Sequence, residues 1–201
     1  MIHIVDYGAG NIGSIANMIR KVGGSSIITS NTEELLSATK LILPGVGHFD
    51  YGMKKLRESQ LIKVLEEKVL NDRCPILGIC LGAQLMTNSS EEGVERGLGW
   101  FDARVRRFSE ECNVRIPHMG WNFVKIKKQT ALCNGFYDES RFYFVHSYYI
   151  EPEKEEDVLF ETVYGQNFTS GLCRDNLYAV QFHPEKSHKY GVKLMQNFIE
   201  L

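Results

Sequence analysis

With 201 residues, 43% of them hydrophobic and 24% charged, the chain is about one domain long, and its composition excludes a disordered protein. Lys and Arg number 23 against 25 Asp and Glu, a formal net charge of -2. That balance excludes the strongly basic class that lives on nucleic acid or acidic membrane, and leaves small anionic ligands open.

In chain order, Ile2-His3-Ile4-Val5 reads as a buried strand and Asp6 to Asn11 as a turn. Apolar residues at helical spacing (Ile12, Ile15, Ile19, Val22) then predict a helix over Ile12 to Val22, stopped by Gly23-Gly24. Strands are predicted at Ser26 to Thr29 and Lys40 to Leu43, flanking a short helix capped by Asn31 or Thr32. One or two helices follow over Tyr51 to Asn71, then a buried strand at Pro75 to Ile79 and a helix at Leu81 to Thr87. Strands alternating with helices imply parallel βαβ units in a doubly wound sheet.

Beyond Trp100 the texture changes to short aromatic and β-branched runs, at Phe101 to Phe108, Phe123 to Lys127, Phe142 to Val145, Val158 to Tyr164, Phe168 to Arg174 and Leu177 to Phe182. Turn residues between them predict antiparallel meanders, and Tyr190 to Leu201 a closing amphipathic helix. The charged run Glu151 to Asp157 reads as a solvated loop. No linker or repeat divides the chain, so residues 1–201 are expected to form one domain. Met1 leads straight into a strand, and 18 consecutive apolar residues occur nowhere. Neither a signal peptide nor a spanning helix is expected, and the compartment is expected to be the cytoplasm.

Gly78-Ile79-Cys80-Leu81-Gly82 carries the sharpest chemical signal. It is the nucleophile-elbow pattern with cysteine in place of serine, set between a strand and a helix. Such a turn strains the central residue, flanking glycines let it pack, and amides at a helix start favour a thiolate. The alternative is an inert buried cysteine. A thiolate needs a base and an orienter, and Gln181-Phe182-His183-Pro184-Glu185 offers both just after a strand. Leu43-Pro44-Gly45-Val46-Gly47-His48 follows another strand and leaves backbone amides open to a developing oxyanion, or is simply a glycine-rich turn.

The remaining candidates carry blander readings. The five cysteines (Cys74, Cys80, Cys112, Cys133, Cys173) contain no C-x-x-C, and His48, His118, His146 and His188 lack helical pair spacing, so no metal is expected. His3 reads as a satisfied core residue. Gly8-Ala9-Gly10-Asn11-Ile12-Gly13 matches a dinucleotide fingerprint, but Ile27-Ile28-Thr29-Ser30-Asn31 supplies no acid for a ribose. A dinucleotide-binding module stays open as the alternative of another class.

Together the Pro44, Cys80 and His183 motifs resemble the class I (triad) glutamine amidotransferases. Asp6-Tyr7-Gly8-Ala9-Gly10-Asn11, Pro117 to Asn122, Tyr143 to Tyr148 and Lys186-Ser187 are similar to the glutaminase subunits of imidazole glycerol phosphate synthases, nearly end to end. The resemblance implies a flavodoxin-like α/β fold, with a mostly parallel central sheet flanked by helices and an antiparallel region in the C-terminal half. It implies Cys80 as nucleophile, His183 as base and Glu185 as orienter. Amides of Val46, Gly47 and Leu81 would meet the oxyanion, and Gln84, Ser147 and Tyr148 would bind L-glutamine. No cofactor is implied. Asn11, Trp121, Tyr143 and Lys186 match positions facing a (β/α)8-barrel cyclase that consumes the ammonia, the two chains forming a heterodimer. Ala83 departs from the family's usual Met. His48 to Tyr51 and Gly99-Trp100 are closer to related copies that supply ammonia for surface-sugar modification, which leaves a second acceptor open.

Overall fold

The structure, a computed structural model, describes residues 1–137 and 139–201 apart from the side chain of Cys112. Its first half runs β1 (Ile2–Val5), α1 (Ile12–Lys21), β2 (Ser26–Thr29), α2 (Thr32–Leu36), β3 (Leu41–Leu43), α3 (Phe49–Glu58), α4 (Ile62–Glu66), β4 (Ile76–Ile79) and α5 (Leu81–Leu85). A π-helical turn, Glu67–Asn71, extends α4, so the predicted Tyr51 to Asn71 region is two helices. The Asn31 side chain caps α2 by accepting from the Glu33 and Glu34 amides at 2.8 and 3.2 Å. The second half adds β5 (Ser89–Ser90), β6 (Ala103–Arg107), β7 (His118–Phe123), β8 (Lys125–Ile126), β9 (Arg141–His146), β10 (Tyr148–Pro152), β11 (Val158–Tyr164), β12 (Gln166–Arg174), β13 (Leu177–Val180) and α6 (His188–Glu200).

The main sheet has the order β2-β1-β3-β4-β13-β12-β10-β6-β5. Its first five strands are mutually parallel. From β13 onward the β12, β10 and β6 pairings are antiparallel. Neighbours along one strand go to opposite cores: Leu41 and Leu43 pack with α3 and α4 residues on one face, while Ile42 packs with α1 and α6 residues on the other. That is the period-two alternation of a sheet covered on both sides. A separate antiparallel ribbon, β7 with β9, sets His118 opposite His146 and Trp121 opposite Tyr143.

Three expectations need correcting. The Leu177 strand is no meander strand alone: β13 runs parallel to β4 and antiparallel to β12, joining the two halves. Its four residues are all buried, as a central strand requires. Nor is Glu151 to Asp157 a solvated loop throughout. Glu151 and Pro152 close β10 opposite Arg104 and Ala103. Asp157 is buried and ion-paired with Arg174 at 3.4 Å; desolvation raises its pKa and the guanidinium opposes that rise. His3 does lie in the core, but its Nδ1 has no hydrogen-bond partner among the described residues, and burial holds its pKa down. Strand β1 is hemmed in by β2 and β3, whose backbone groups are engaged in the sheet.

Candidate active site

At the C-terminal end of β4 the chain turns through Cys80 into α5, with φ 53° and ψ -111° at Cys80. A non-glycine residue in that region costs about 1–3 kcal/mol, and its surroundings must enforce it. They do so through close backbone contact. A Cβ on Gly82 would lie 1.9 Å from the Leu43 carbonyl oxygen, and one on Gly78 would lie 2.8 Å from the Ala83 Cα. The Cys80 amide is tied to the Val180 carbonyl at 2.8 Å. Helix α5 is shorter than predicted, so the Leu81 amide in its first turn is available as an individual donor more than as part of a long dipole.

The Pro44–Gly47 loop is pressed against the same turn. A Cβ on Gly45 would lie 2.6 Å from the Gly82 amide nitrogen and 2.8 Å from the Tyr7 hydroxyl. Tyr7 itself donates to the Pro44 carbonyl at 2.6 Å, anchoring the loop. Burial, and then the nearby Cys80 sulfur, push the Tyr7 phenol well above its ordinary range, so it stays a neutral donor. Gly47 has φ +106°, open to glycine at little cost.

His183 follows β13 and hangs from the ribbon, its amide donating to the Tyr143 carbonyl at 2.9 Å. Pro184–Lys186 forms a single 3-10 turn, and that turn brings Glu185 back onto the imidazole. Nδ1 of His183 lies 2.7 Å from Glu185 Oε1, with side-chain exposures of 2% and 1%. Burial lowers the affinity of His183 for a proton, but Cys80 and Glu185 outweigh it and raise the pKa to about 10. Nε2 has no hydrogen-bond partner among the described residues, which leaves that nitrogen for a proton carried by sulfur or by a leaving group. Ser187 braces the turn, donating to the His183 carbonyl at 2.6 Å and accepting the Tyr143 amide at 2.9 Å.

A cavity of about 460 Å³ brings Cys80, His183, Val46, Gly47, Leu81 and Gln84 to one wall system. Ser147, Tyr148, Asn11 and Lys186 line it as well. Glu185 stands behind His183 rather than on this surface. Trp121 and Tyr143 lie outside the cavity but continue its rim: Lys186 Nζ sits 5.9 Å from the Tyr143 ring, and Tyr143 meets Trp121 edge-on at 6.2 Å. Trp121 also stacks on His188 at 5.5 Å. Asn11 lines this cavity, and Gly10 before it packs against Pro44 and Gly45, where a Cβ would lie 3.1 Å from the Pro44 Cβ.

Three residues in or behind the cavity wall carry no role in the sequence analysis. Glu92 puts a carboxylate in the cavity, held by the Phe49 amide at 2.8 Å, and suits a substrate ammonium. Gln181 is fully buried, and its Nε2 donates to Cys80 Sγ at 3.7 Å. His146 lines the cavity and is bonded ring to ring with His118 at 2.9 Å. The spacing of 28 residues gives no helical signal; only the β7–β9 register brings the two rings together.

Residues 3–201 match the family described as glutamine amidotransferase class-I. Imidazole glycerol phosphate synthase subunit HisH 2 of Methanococcus maripaludis is 54% identical over 200 residues, covering 100% of this chain and 99% of the relative. The protein of the same name from Pseudomonas aeruginosa is 49% identical over 201 residues, with 100% of each chain covered. A crystal structure of a glutamine amidotransferase superposes with a TM-score of 0.78 at 20% identity, covering 100% of this chain and 98% of the other, a likeness of fold alone. The chain belongs to the class I glutamine amidotransferases and, within them, to the HisH subunits of imidazole glycerol phosphate synthase.

Proposed function

We propose that this chain, folded as one domain over residues 1–201, hydrolyses glutamine at Cys80 and delivers the ammonia to a synthase subunit. The observation that carries the reading is the strained Cys80 sharing a cavity with His183, itself paired with a buried Glu185 at 2.7 Å. The Cys80 thiol gives its proton to His183 Nε2 as its sulfur attacks the side-chain carboxamide carbon of glutamine, and the carbonyl π electrons move onto oxygen. Amides of Val46, Gly47 and Leu81 receive that oxyanion, each donor worth about 3 kcal/mol. His183 passes a proton to the nitrogen, the C–N bond breaks, and ammonia leaves a γ-glutamyl thioester on Cys80. Water, losing its proton to His183, attacks the thioester and releases glutamate with the thiol restored.

Gln84, Ser147 and Tyr148 hold glutamine, and Glu92 receives its ammonium group. Free ammonia becomes ammonium in neutral water and loses its nucleophilic electron pair, so the site must open onto a second active site. The rim suits such a partner. Met119, Trp121 and Phe123 alternate outward along β7 with exposures of 61%, 42% and 52%, and Val163 lies beside them at 65%. An exposed apolar strip of this kind is a docking surface. We assign it to the (β/α)8-barrel cyclase, as a heterodimer in the cytoplasm, with Asn11, Trp121, Tyr143 and Lys186 at the junction. The complex makes imidazole glycerol phosphate and aminoimidazole carboxamide ribotide in histidine biosynthesis.

A second reading, in which the ammonia feeds a surface-sugar amidotransferase, rests on the likeness of His48 to Tyr51 and Gly99-Trp100 to copies of that kind. Purified complexes with each type of synthase separate the two. Glutamine-dependent turnover of the phosphoribulosyl formimino precursor with the barrel cyclase, absent with the sugar synthase, is the expected result. The reverse pattern assigns the second acceptor. In the productive complex Cys80→Ala abolishes synthesis from glutamine and leaves synthesis from ammonium; retained use of glutamine would refute the assignment of Cys80.

A further inference from the structure

The amide of Gln181 is oriented by hydrogen bonds that begin away from the sulfur it touches. The Tyr148 carbonyl can only accept, and two donors fill its lone pairs: His146 Nδ1 at 2.7 Å and Gln84 Nε2 at 3.3 Å. Gln84 must therefore turn its NH2 group in this direction. The second hydrogen of that group goes to Gln181 Oε1 at 2.9 Å. Gln181 is thereby obliged to present oxygen to Gln84, and its own NH2 is left on the side of Cys80 Sγ, at 3.7 Å. The Gln181 backbone amide, bonded to the Ser170 carbonyl at 3.0 Å, fixes the stem from which this side chain reaches.

We propose that Gln181 is a donor built to orient and stabilise the attacking sulfur of Cys80, with Gln84 as the positioning residue that sets its polarity. The inference rests on the reading of Cys80 as nucleophile and deepens it. An N–H aimed at sulfur favours the thiolate over the thiol and limits its rotation. Titratable groups facing the sulfur are His183 and Tyr7, with Glu185 behind His183 and Glu92, His146, Tyr148 and Lys186 on the cavity wall. Gln84 has committed both its hydrogens, so it can meet glutamine only through Oε1, as an acceptor.

The test uses the complex with its synthase partner and compares the parent with Gln181→Leu and Gln181→Glu. Glu keeps the shape and still accepts from Gln84, but turns an oxygen toward the sulfur, so it reads the donor even where Leu fails to fold. Iodoacetamide labelling of Cys80, located by mass spectrometry from pH 5.5 to 9, is the principal readout; kcat and KM for glutamine are the second. Labelling at neutral pH is expected to slow about tenfold, with the profile moved toward alkaline pH and kcat falling more than KM changes. A structural role alone lowers the unfolding temperature and leaves the labelling profile in place. Parent-like labelling in a folded variant would overturn the role of Gln181 while Cys80→Ala remains dead with glutamine. Glutamine turnover by Cys80→Ala would instead overturn the reading of the site itself.

Discussion

His183 beside the cavity and the His118–His146 pair in the ribbon are buried to the same degree, with exposures of 2%, 3% and 7%. Burial pushes all three toward the neutral form. In the ribbon that push prevails, lowering His118 to about 4 and His146 to about 3. At the cavity it is overcome, because Cys80 and Glu185 adjoin the ring and the pKa rises to about 10. Depth therefore does not decide what a histidine does in this protein; the charge of its neighbours does. The ribbon pair is a neutral chain of hydrogen bonds with forced tautomers: Asn122 donates to His118 Nε2, His118 Nδ1 to His146 Nε2, and His146 Nδ1 to the Tyr148 carbonyl.

That contrast is sharpest in paired substitutions. His183→Gln should reduce glutamine turnover by about ten-thousandfold, since in the proposed mechanism it removes the proton carrier. His146→Gln should cost about tenfold, through one lost bond to Tyr148. A glutamate-release assay on both complexes measures the ratio, and equal losses would erase the distinction. Glu185→Gln comes next, with folding intact and thioester formation slowed at least about a hundredfold. NMR titration of His183 in that variant should show its pKa lowered, because one of the two groups raising it is gone; an unmoved titration would remove Glu185 from the account.

Stability against pH reads the two settings with opposite sign. His118 and His146 stay neutral when folded, while an unfolded chain protonates them near 6.5, so stability is lost as pH falls from 6.5 toward 4. Their joint removal should flatten this acid limb by about 2 kcal/mol per histidine at pH 5. The folded pKa of His183 is raised, so its contribution is complete below 6.5 and is lost as pH climbs toward 10. Urea midpoints from pH 4 to 10 give both limbs, and an acid limb unchanged without the ribbon pair would contradict the assignment. The smallest effect belongs to the outer side of the same ribbon. Trp121→Ala should weaken binding of the barrel partner about tenfold, measured by calorimetry, with the fold retained.

How much of this could be read in the sequence depended on distance along the chain. The elbow spans five residues and announces itself through Gly78 and Gly82, each of which proves to lie where no Cβ fits. His183 and Glu185 are two apart, and a single turn at Pro184 suffices to join them. The parallel half was equally legible, since buried strands and amphipathic helices alternate there. The His118–His146 bond was not, because it depends on a strand register set by other residues. Glu92 sits in a loop without any local pattern, and Gln181 is one more residue after a strand in sequence, its role set only by its contacts with Gln84 and Cys80 in space. Strand β10 was missed for a related reason: of its five residues only Ile150 is buried, so no alternation marks it.

The proposed hydrolysis passes through a covalent bond between Cys80 and the substrate. Rapid acid quench of the active complex during glutamine turnover, followed by mass spectrometry of the chain, looks for that bond directly. The expected result is a γ-glutamyl adduct on the peptide carrying Cys80, accumulating in the parent and missing from Cys80→Ala. Turnover with no adduct at Cys80, or an adduct on another side chain, would contradict it.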